Sequence, residues 1–394
     1  MTEPQFDLEH VLGVRSLRSR PETIDDLLAL NSIPRTMVQA YMARGERLTP
    51  VPGWISLSDM PGDVDRIVVR ALRNTLFETI LPWGDDSRPT GEGAGISGIS
   101  LSRGVAVADG ALLDADRAKE LVTREVTSFV DEYGVDERGC VFGVSGGGDS
   151  NALAYGLAKA IRPDRLRAFT LVFRDVMTTA AADRASVLCQ ELGISHRVYS
   201  ETETAQLMRL RTSLPEMYND FQKEFGEEAV HFFGTFLILR AARTVAREHG
   251  FGDLAFGYNR EDLLAEFMFT LMNGRAPLAY PVRPIGDQRI VMPVWRASKV
   301  LLDACHPRFS LENYRERDAH TTRQRSLAFY LGHSLDSTYP GFGMSVLDGA
   351  SRSFAGHFGA LHHDAELDVF VTDEATPERL DRVRDVLARH LPED

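Results

Sequence analysis

The period of the hydrophobic positions changes near residue 139, and that change divides the chain. Between Ala115 and Tyr133, the residues Leu121, Val122, Val126, Phe129 and Val130 fall on one side of a helix. Cys140-Val141-Phe142-Gly143-Val144 is then a short unbroken apolar run, the pattern of a strand buried on both faces. Residues 166 to 173 form a second such run, and residues 151 to 161 between them predict a helix. A second helix over residues 179 to 192 stops at Gly193, a natural residue for a helix end, and residues 196 to 199 make a third strand. A longer helix from Ala229 to His249 stops at Gly250, and Leu254-Ala255-Phe256-Gly257 follows as a fourth strand. Strands alternating with helices predict an α/β fold built on a doubly wound parallel sheet.

Residues 116 to 310 hold this domain, with an accessory region over residues 1 to 115 and a small C-terminal α/β extension over 311 to 394. In the accessory region Leu27-Leu28-Ala29-Leu30 and Val68-Val69-Arg70-Ala71-Leu72 predict short helices, joined by turns such as Thr49-Pro50-Val51-Pro52-Gly53. Residues 83 to 98, rich in glycine and polar groups, read as a loop or linker. In the extension, Asp368-Val369-Phe370-Val371 reads as a strand, and Thr376-Pro377-Glu378 opens a helix that runs to Leu391.

The chemistry concentrates in Ser145-Gly146-Gly147-Gly148-Asp149-Ser150, between the first buried strand and its helix. Glycines let the backbone turn sharply and present bare N–H groups. The helix start adds further unpaired donors and the positive end of a dipole, about half an elementary charge. Together these make an anion site at the edge of a parallel sheet where ligands bind. Ser145 and Ser150 can donate to phosphate, and Asp149 can hold magnesium. No Gly-Lys-Ser/Thr follows, so this is not a Walker A loop, nor is it a G-x-G-x-x-G dinucleotide fingerprint.

The segment resembles the S-G-G-x-D-S loop of the PP-loop ATP pyrophosphatases, the adenine nucleotide alpha hydrolase-like superfamily. The resemblance implies that ATP binds there by its pyrophosphate and is cleaved between the α and β phosphates. A substrate oxygen becomes adenylated, and nitrogen or sulfur then displaces AMP. A second block, from Phe256 through Glu266, is similar to the G-H-N-x-D-D-x-x-E segment of tRNA-thiolating and lysidine-forming members. Asn259 would bind nucleotide there, and Asp262 either completes a magnesium site with Asp149 or offsets a helix dipole. A third block, from Val291 to Leu301, resembles P-L-x-x-x-x-K-E-I/L; Lys299 either stabilises charge on the α-phosphate or is a solvated helix lysine. Thr321-Thr322-Arg323-Gln324-Arg325 and Tyr339-Pro340-Gly341 resemble the tail of the tRNA 2-thiolation enzymes more weakly. The resemblance therefore implies ATP and Mg2+ as cofactors. It makes Asp149, Lys299 and Asp262 catalytic, and Ser145, Gly146, Gly147, Gly148, Ser150 and Asn259 nucleotide-binding, with Asp149 and Asp262 on the metal.

Composition narrows what such an enzyme would act on. The 44 basic against 57 acidic residues give a formal charge of −13, which disfavours a tRNA substrate although Arg315, Arg317, Arg323 and Arg325 cluster. The start has no basic n-region and the longest apolar stretch, residues 229 to 239, is about half a membrane span, so no membrane is expected. Three cysteines, Cys140, Cys189 and Cys305, with no C-x-x-C pair fit a reducing cytoplasm. Thiolating relatives carry such a pair where this chain has Val230-His231-Phe232-Phe233, and the segments at residues 77 to 82 and 104 to 107 resemble a cysteine-bearing N-terminal module, also found in N-acetyl sugar amidotransferases, with its cysteines gone. His362-His363-Asp364 is expected in a surface loop and not as a metal site. Four functions remain open. The first is an amidotransferase-like ligase acting on a small molecule or sugar and served by an ammonia-supplying partner. The second is a thiolating enzyme fed by a sulfur-carrier protein. The third is a lysidine-type tRNA modification, which the acidic charge disfavours, and the fourth is an ATP-binding module without turnover. The apolar run at Phe232 to Leu237 belongs to the core or to a homodimer interface.

Overall fold

The computed structural model describes residues 7–10, 13–16, 22–24, 27, 38–45, 47–51, 55–64, 66–71, 99–100, 105–108, 111–173, 178–226, 229–306, 309–310, 313, 325, 328–329, 331–332, 342–364, 368–372 and 377–392. Near the N-terminus, β1 (Asp7–His10), β2 (Gly13–Ser16), β3 (Val38–Arg44), β4 (Arg47–Val51) and β5 (Arg66–Ala71) form a sheet in the order β2-β1-β5-β3-β4. This corrects the helix expected over Val68 to Leu72, whose first four residues lie in β5. Ile67 and Val68 are adjacent and both buried, which mimics a helix in sequence. In a strand they point to opposite faces, and both faces are covered. Ile67 joins Ile24, Leu27, Ala40 and Val51, whereas Val68 joins Tyr41 and Ala43. The β-branched run suits a strand better than a helix.

A second small sheet, β6 (Ile99–Ser100), β7 (Val105–Ala108) and β8 (Ala111–Asp114), leads directly into α1 (Ala115–Tyr133) and the short α2 (Val135–Arg138). The strand–helix units then follow as β9 (Cys140–Gly143), α3 (Gly148–Ala160), β10 (Leu166–Leu171), α4 (Thr179–Glu191) and β11 (Ser195–Tyr199). Helices α5 (Glu201–Leu207), α6 (Leu214–Phe225) and α7 (Ala229–His249) come before β12 (Asp253–Ala255) and α8 (Arg260–Met272). The hairpin β13 (Val282–Ile285) and β14 (Gln288–Val291) precedes α9 (Lys299–Cys305). The central sheet has the order β11-β10-β9-β12-β14-β13, parallel throughout except for β13. It is the doubly wound sheet that the hydrophobic pattern predicts.

Register decides where a site can form. Phe142 of β9 pairs with Ala255 of β12, and Ala255 with Val291 of β14. Three neighbouring strands therefore end at one level, and their following loops meet. The chain leaves β9 towards β10 and β11 and returns as β12 on the other side. The crevice above β9 and β12 is thus the switch point of the sheet, where ligands bind in such folds.

The C-terminal segment supplies α10 (Phe342–Ser353), β15 (Leu361–Asp364), β16 (Val369–Thr372) and α11 (Pro377–His390). Leu347, Val386, Leu387 and Leu391 join the main core around the central sheet. His362 and His363 lie in β15 and not in a loop, because β15 pairs antiparallel with β16; His363 Nε2 lies 2.8 Å from an Asp368 carboxylate oxygen. Residues 72 to 98, 101 to 104, 314 to 324, 333 to 341 and 373 to 376 lie outside the described residues. They include the linker, Arg315, Arg317 and Arg323, most of the weaker tail matches, and Thr376. Among the described residues no helix is long and apolar enough to cross a membrane.

Helices α1 and α3 cross at Gly156, where a Cβ would lie 2.5 Å from Val126 Cγ2. Gly156→Ala gains about 1 kcal/mol of helix propensity but overpacks the crossing, which costs about 1–3 kcal/mol. The expected result is a lower urea midpoint, with a smaller loss when Val126 is already alanine. A raised midpoint would show that the helices do not meet there.

Candidate active site at the glycine loop

Ser145 to Gly147 leave the C-terminal end of β9, and Gly148 is the first residue of α3. The loop is held from behind by its own helix. Ser145 N donates to Ser150 Oγ at 3.1 Å, Ser150 Oγ donates to Gly147 O at 3.1 Å, and Asn151 Nδ2 donates to Gly146 O at 3.3 Å. With those carbonyls tied back, the N–H groups of Gly146, Gly147 and Gly148 meet no protein acceptor among the described residues. Gly146 has φ +71°, and a Cβ on it would lie 2.6 Å from Ala181 O, so only glycine fits there. The arrangement is a row of donors at a helix start, suited to an anion.

The second block arrives from β12. Asn259 caps α8, and its side chain accepts from Asp262 N at 2.8 Å while Asp262 Oδ2 accepts from Asn259 N at 3.2 Å. This reciprocal cap fixes the Asn259 side chain, whose Nδ2 donates to Asp149 Oδ1 at 3.2 Å. Asp262 therefore stands one step behind Asp149, joined to it through Asn259. Gly257 passes against the Asp149 backbone, where a Cβ would lie 3.5 Å from Asp149 O.

The third block comes from β14 and delivers Lys299 as the first residue of α9. Lys299 is 3% exposed, so it is not a solvated lysine. Its Nζ donates to Asp149 Oδ1 at 2.9 Å and to Asp303 Oδ1 at 2.8 Å. Its backbone N–H donates to Glu261 Oε2 at 2.9 Å, and Arg260 N donates to Ala297 O at 3.0 Å, stitching the starts of α8 and α9 together. The structure thus brings Ser145, Gly146, Gly147, Gly148, Asp149, Ser150, Asn259, Asp262 and Lys299 into one site.

Sequence reasoning missed Asn151, Glu261, Asp303, Ser310 and Asn313 as parts of it. Asn313 Nδ2 lies 3.1 Å from where a Gly147 Cβ would be, and Asp303 and Ser310 crowd Gly148 in the same way. Lys299 and Asp303 are four residues apart, a spacing that puts both on one helix face. That was the one local signal available. Asn313 offered none.

Cys140, Cys189 and Cys305 are free and buried. Burial pushes the Cys189 and Cys305 thiols up to about 12, and burial with the nearby Asp253 charge raises Cys140 further. Among the described residues no three His, Cys, Asp or Glu side chains gather as a set of metal ligands.

No protein-family model matches this sequence, and no curated protein matches it. Solved structures do resemble it. The U34-tRNA thiolase NcsA from Methanococcus maripaludis, with its [4Fe-4S] cluster, is 18% identical over 64% of this chain and 84% of its own, at a TM-score of 0.50. The NH3-dependent NAD synthetase from Campylobacter jejuni is 16% identical over 62% of this chain and 97% of its own, at a TM-score of 0.36. The NMN synthetase from Francisella tularensis is 13% identical over 70% and 94%, at 0.35. At these identities the likeness is one of fold, a parallel-dominated central sheet with flanking helices. Cys140, Cys189 and Cys305 are the three cysteines of the chain, and among the described residues they take part in no cluster of metal ligands.

A thiol with a pKa near 12 has about one part in ten thousand as thiolate at pH 8. Iodoacetamide at pH 8 should therefore leave all three cysteines of the folded protein unmodified over a time that alkylates them fully in urea, read by intact mass. Rapid labelling of Cys189 or Cys305 in the folded state would contradict their burial.

Proposed function

We propose that this protein is an ATP-dependent adenylating enzyme. It cleaves ATP between the α and β phosphates, transfers AMP to an oxygen of a small-molecule acceptor and releases pyrophosphate. A nitrogen nucleophile then attacks the activated carbon, and AMP leaves with the oxygen's bonding pair. The observation that carries this reading is the row of N–H groups at Gly146 to Gly148 that meet no protein acceptor among the described residues, with the Lys299 ammonium held beside it on Asp149.

In this reading the loop N–H groups and Ser145 grip the β and γ phosphates as a leaving group, donors set in place before the charge develops, while Ser150 holds the loop in shape through Gly147 O and Ser145 N. Lys299 offsets charge on the α-phosphate. A magnesium ion bound here would supply neutralisation of charge on the leaving group. Asp149 is the carboxylate at the loop that would hold it, with Asp262 the second. Asn259 keeps Asp149 turned towards the cleft.

Nitrogen is favoured over sulfur by the thiols. Burial raises all three, so none offers a thiolate for a relay. A thiolating route would need sulfur from outside, delivered by a carrier protein, just as the nitrogen route would draw on an ammonia-supplying partner. The net charge of −13 favours a small acceptor over tRNA.

Asp149→Ala and Ser150→Ala should abolish acceptor-dependent pyrophosphate release while the protein stays folded; in the unaltered protein, saturating ATP should raise the melting temperature by binding linkage. Wild-type turnover in both variants would remove the loop from the mechanism. Mass spectrometry of the acceptor separates the routes, because oxygen replaced by NH makes it about 1 Da lighter and oxygen replaced by sulfur about 16 Da heavier.

A further inference from the structure

The loop has three glycines, and the third, Gly148, stands at the open position of S-G-G-x-D-S. Its φ is not in the left-handed region, so its backbone does not require glycine. Space does. A Cβ on Gly148 would lie 2.1 Å from Asp303 Oδ1 and 2.7 Å from Ser310 Oγ. The volume a side chain would fill is taken by a carboxylate from α9. Asp303 is 1% exposed, and its Oδ1 accepts from Lys299 Nζ at 2.8 Å. Ser310, fully buried, donates to Asp303 O at 3.3 Å and closes the end of α9 over the loop.

We propose that Gly148 is glycine in order to admit Asp303, and that Asp303 is a positioning residue that holds the Lys299 ammonium at the phosphate loop. The inference rests on the adenylation reading and deepens it. Lysine has a long, flexible side chain, and its partner Asp149 is also the group assigned to magnesium. When the metal and nucleotide engage Asp149, Lys299 keeps Asp303 as a fixed carboxylate partner. It is then already placed when charge develops on the α-phosphate. Asp303 itself touches no reacting atom in this scheme. It acts through Lys299, as an outer partner orients a ligand.

Asp303→Asn keeps the shape and removes the charge. The rate constant kcat for pyrophosphate release should fall about 10- to 100-fold, the usual loss for such partners, with KM for ATP nearly unchanged. Asp303→Glu, too long for the space, should not restore it. Gly148→Ala should cause a similar fall in kcat, because the new methyl displaces the carboxylate. In an Asp303→Ala background Gly148→Ala should then cost no more than about twofold, since coupled sites are not additive. The same cycle read by melting temperature should also be non-additive, with Gly148→Ala costing less in the Asp303→Ala background, where the Ser310 Oγ contact at 2.7 Å remains. Unchanged kcat in Asp303→Asn, a loss confined to KM, or multiplicative effects of Gly148→Ala and Asp303→Ala would each overturn the proposal. Absence of pyrophosphate release from the unaltered protein would count instead against adenylation, and additive melting losses would still separately refute the packing role of Gly148.

Discussion

An ammonium removed from water must be matched by opposite charge or it gives up its proton. Lys299 is such a group, and its two carboxylates come from opposite ends of the site. Asp149 follows the first strand of the central sheet, and Asp303 lies one helical turn along α9. To satisfy Lys299, the glycine loop and the start of α9 must sit together. Asn259 adds the block after β12 by donating to the same Asp149 oxygen, and Glu261 does so by accepting from the Lys299 backbone. Asp149 also lies in the first turn of α3, at the positive end of that helix.

The central fold was legible because its signals are local. A buried parallel strand is an unbroken apolar run, and β9 and β10 read that way. Helix ends at Gly193 and Gly250 were marked by residues that adopt φ of +68° and +65°. The accessory sheet was not legible. In β5 consecutive residues are buried on opposite faces of a sheet covered on both sides, and no alternation survives to reveal a strand. β15 was hidden differently, since His362, His363 and Asp364 carry no strand propensity and are paired by a partner strand that follows a turn.

The site divides along the same line. Most residues inside a motif block were found, since each block is a strand end with its loop; Glu261 was not, because its part is to accept from Lys299 of another block. Residues that matter only by meeting another block were missed. Asp303 has meaning through the space at Gly148, and Asn313 through the space at Gly147, relations that no spacing along the chain encodes. Lys299 lay between the two cases. Its identity suggested a role, but only burial at 3% exposure separates it from a surface lysine.

The regions flanking the sheet bear on what the site can select. The accessory strands β7 and β8 pack against α9, the helix that carries Lys299 and Asp303. On the opposite flank α10 packs on α8, and Tyr280 donates to Leu347 O at 2.6 Å, anchoring the C-terminal segment beside the block that holds Asn259. The glycine loop and its two partner helices thus lie between an N-terminal sheet and a C-terminal segment, one resting on α9 and the other on α8. The starts of those helices are joined to each other by Glu261 and the Arg260–Ala297 backbone bond, so the two flanks brace one connected unit.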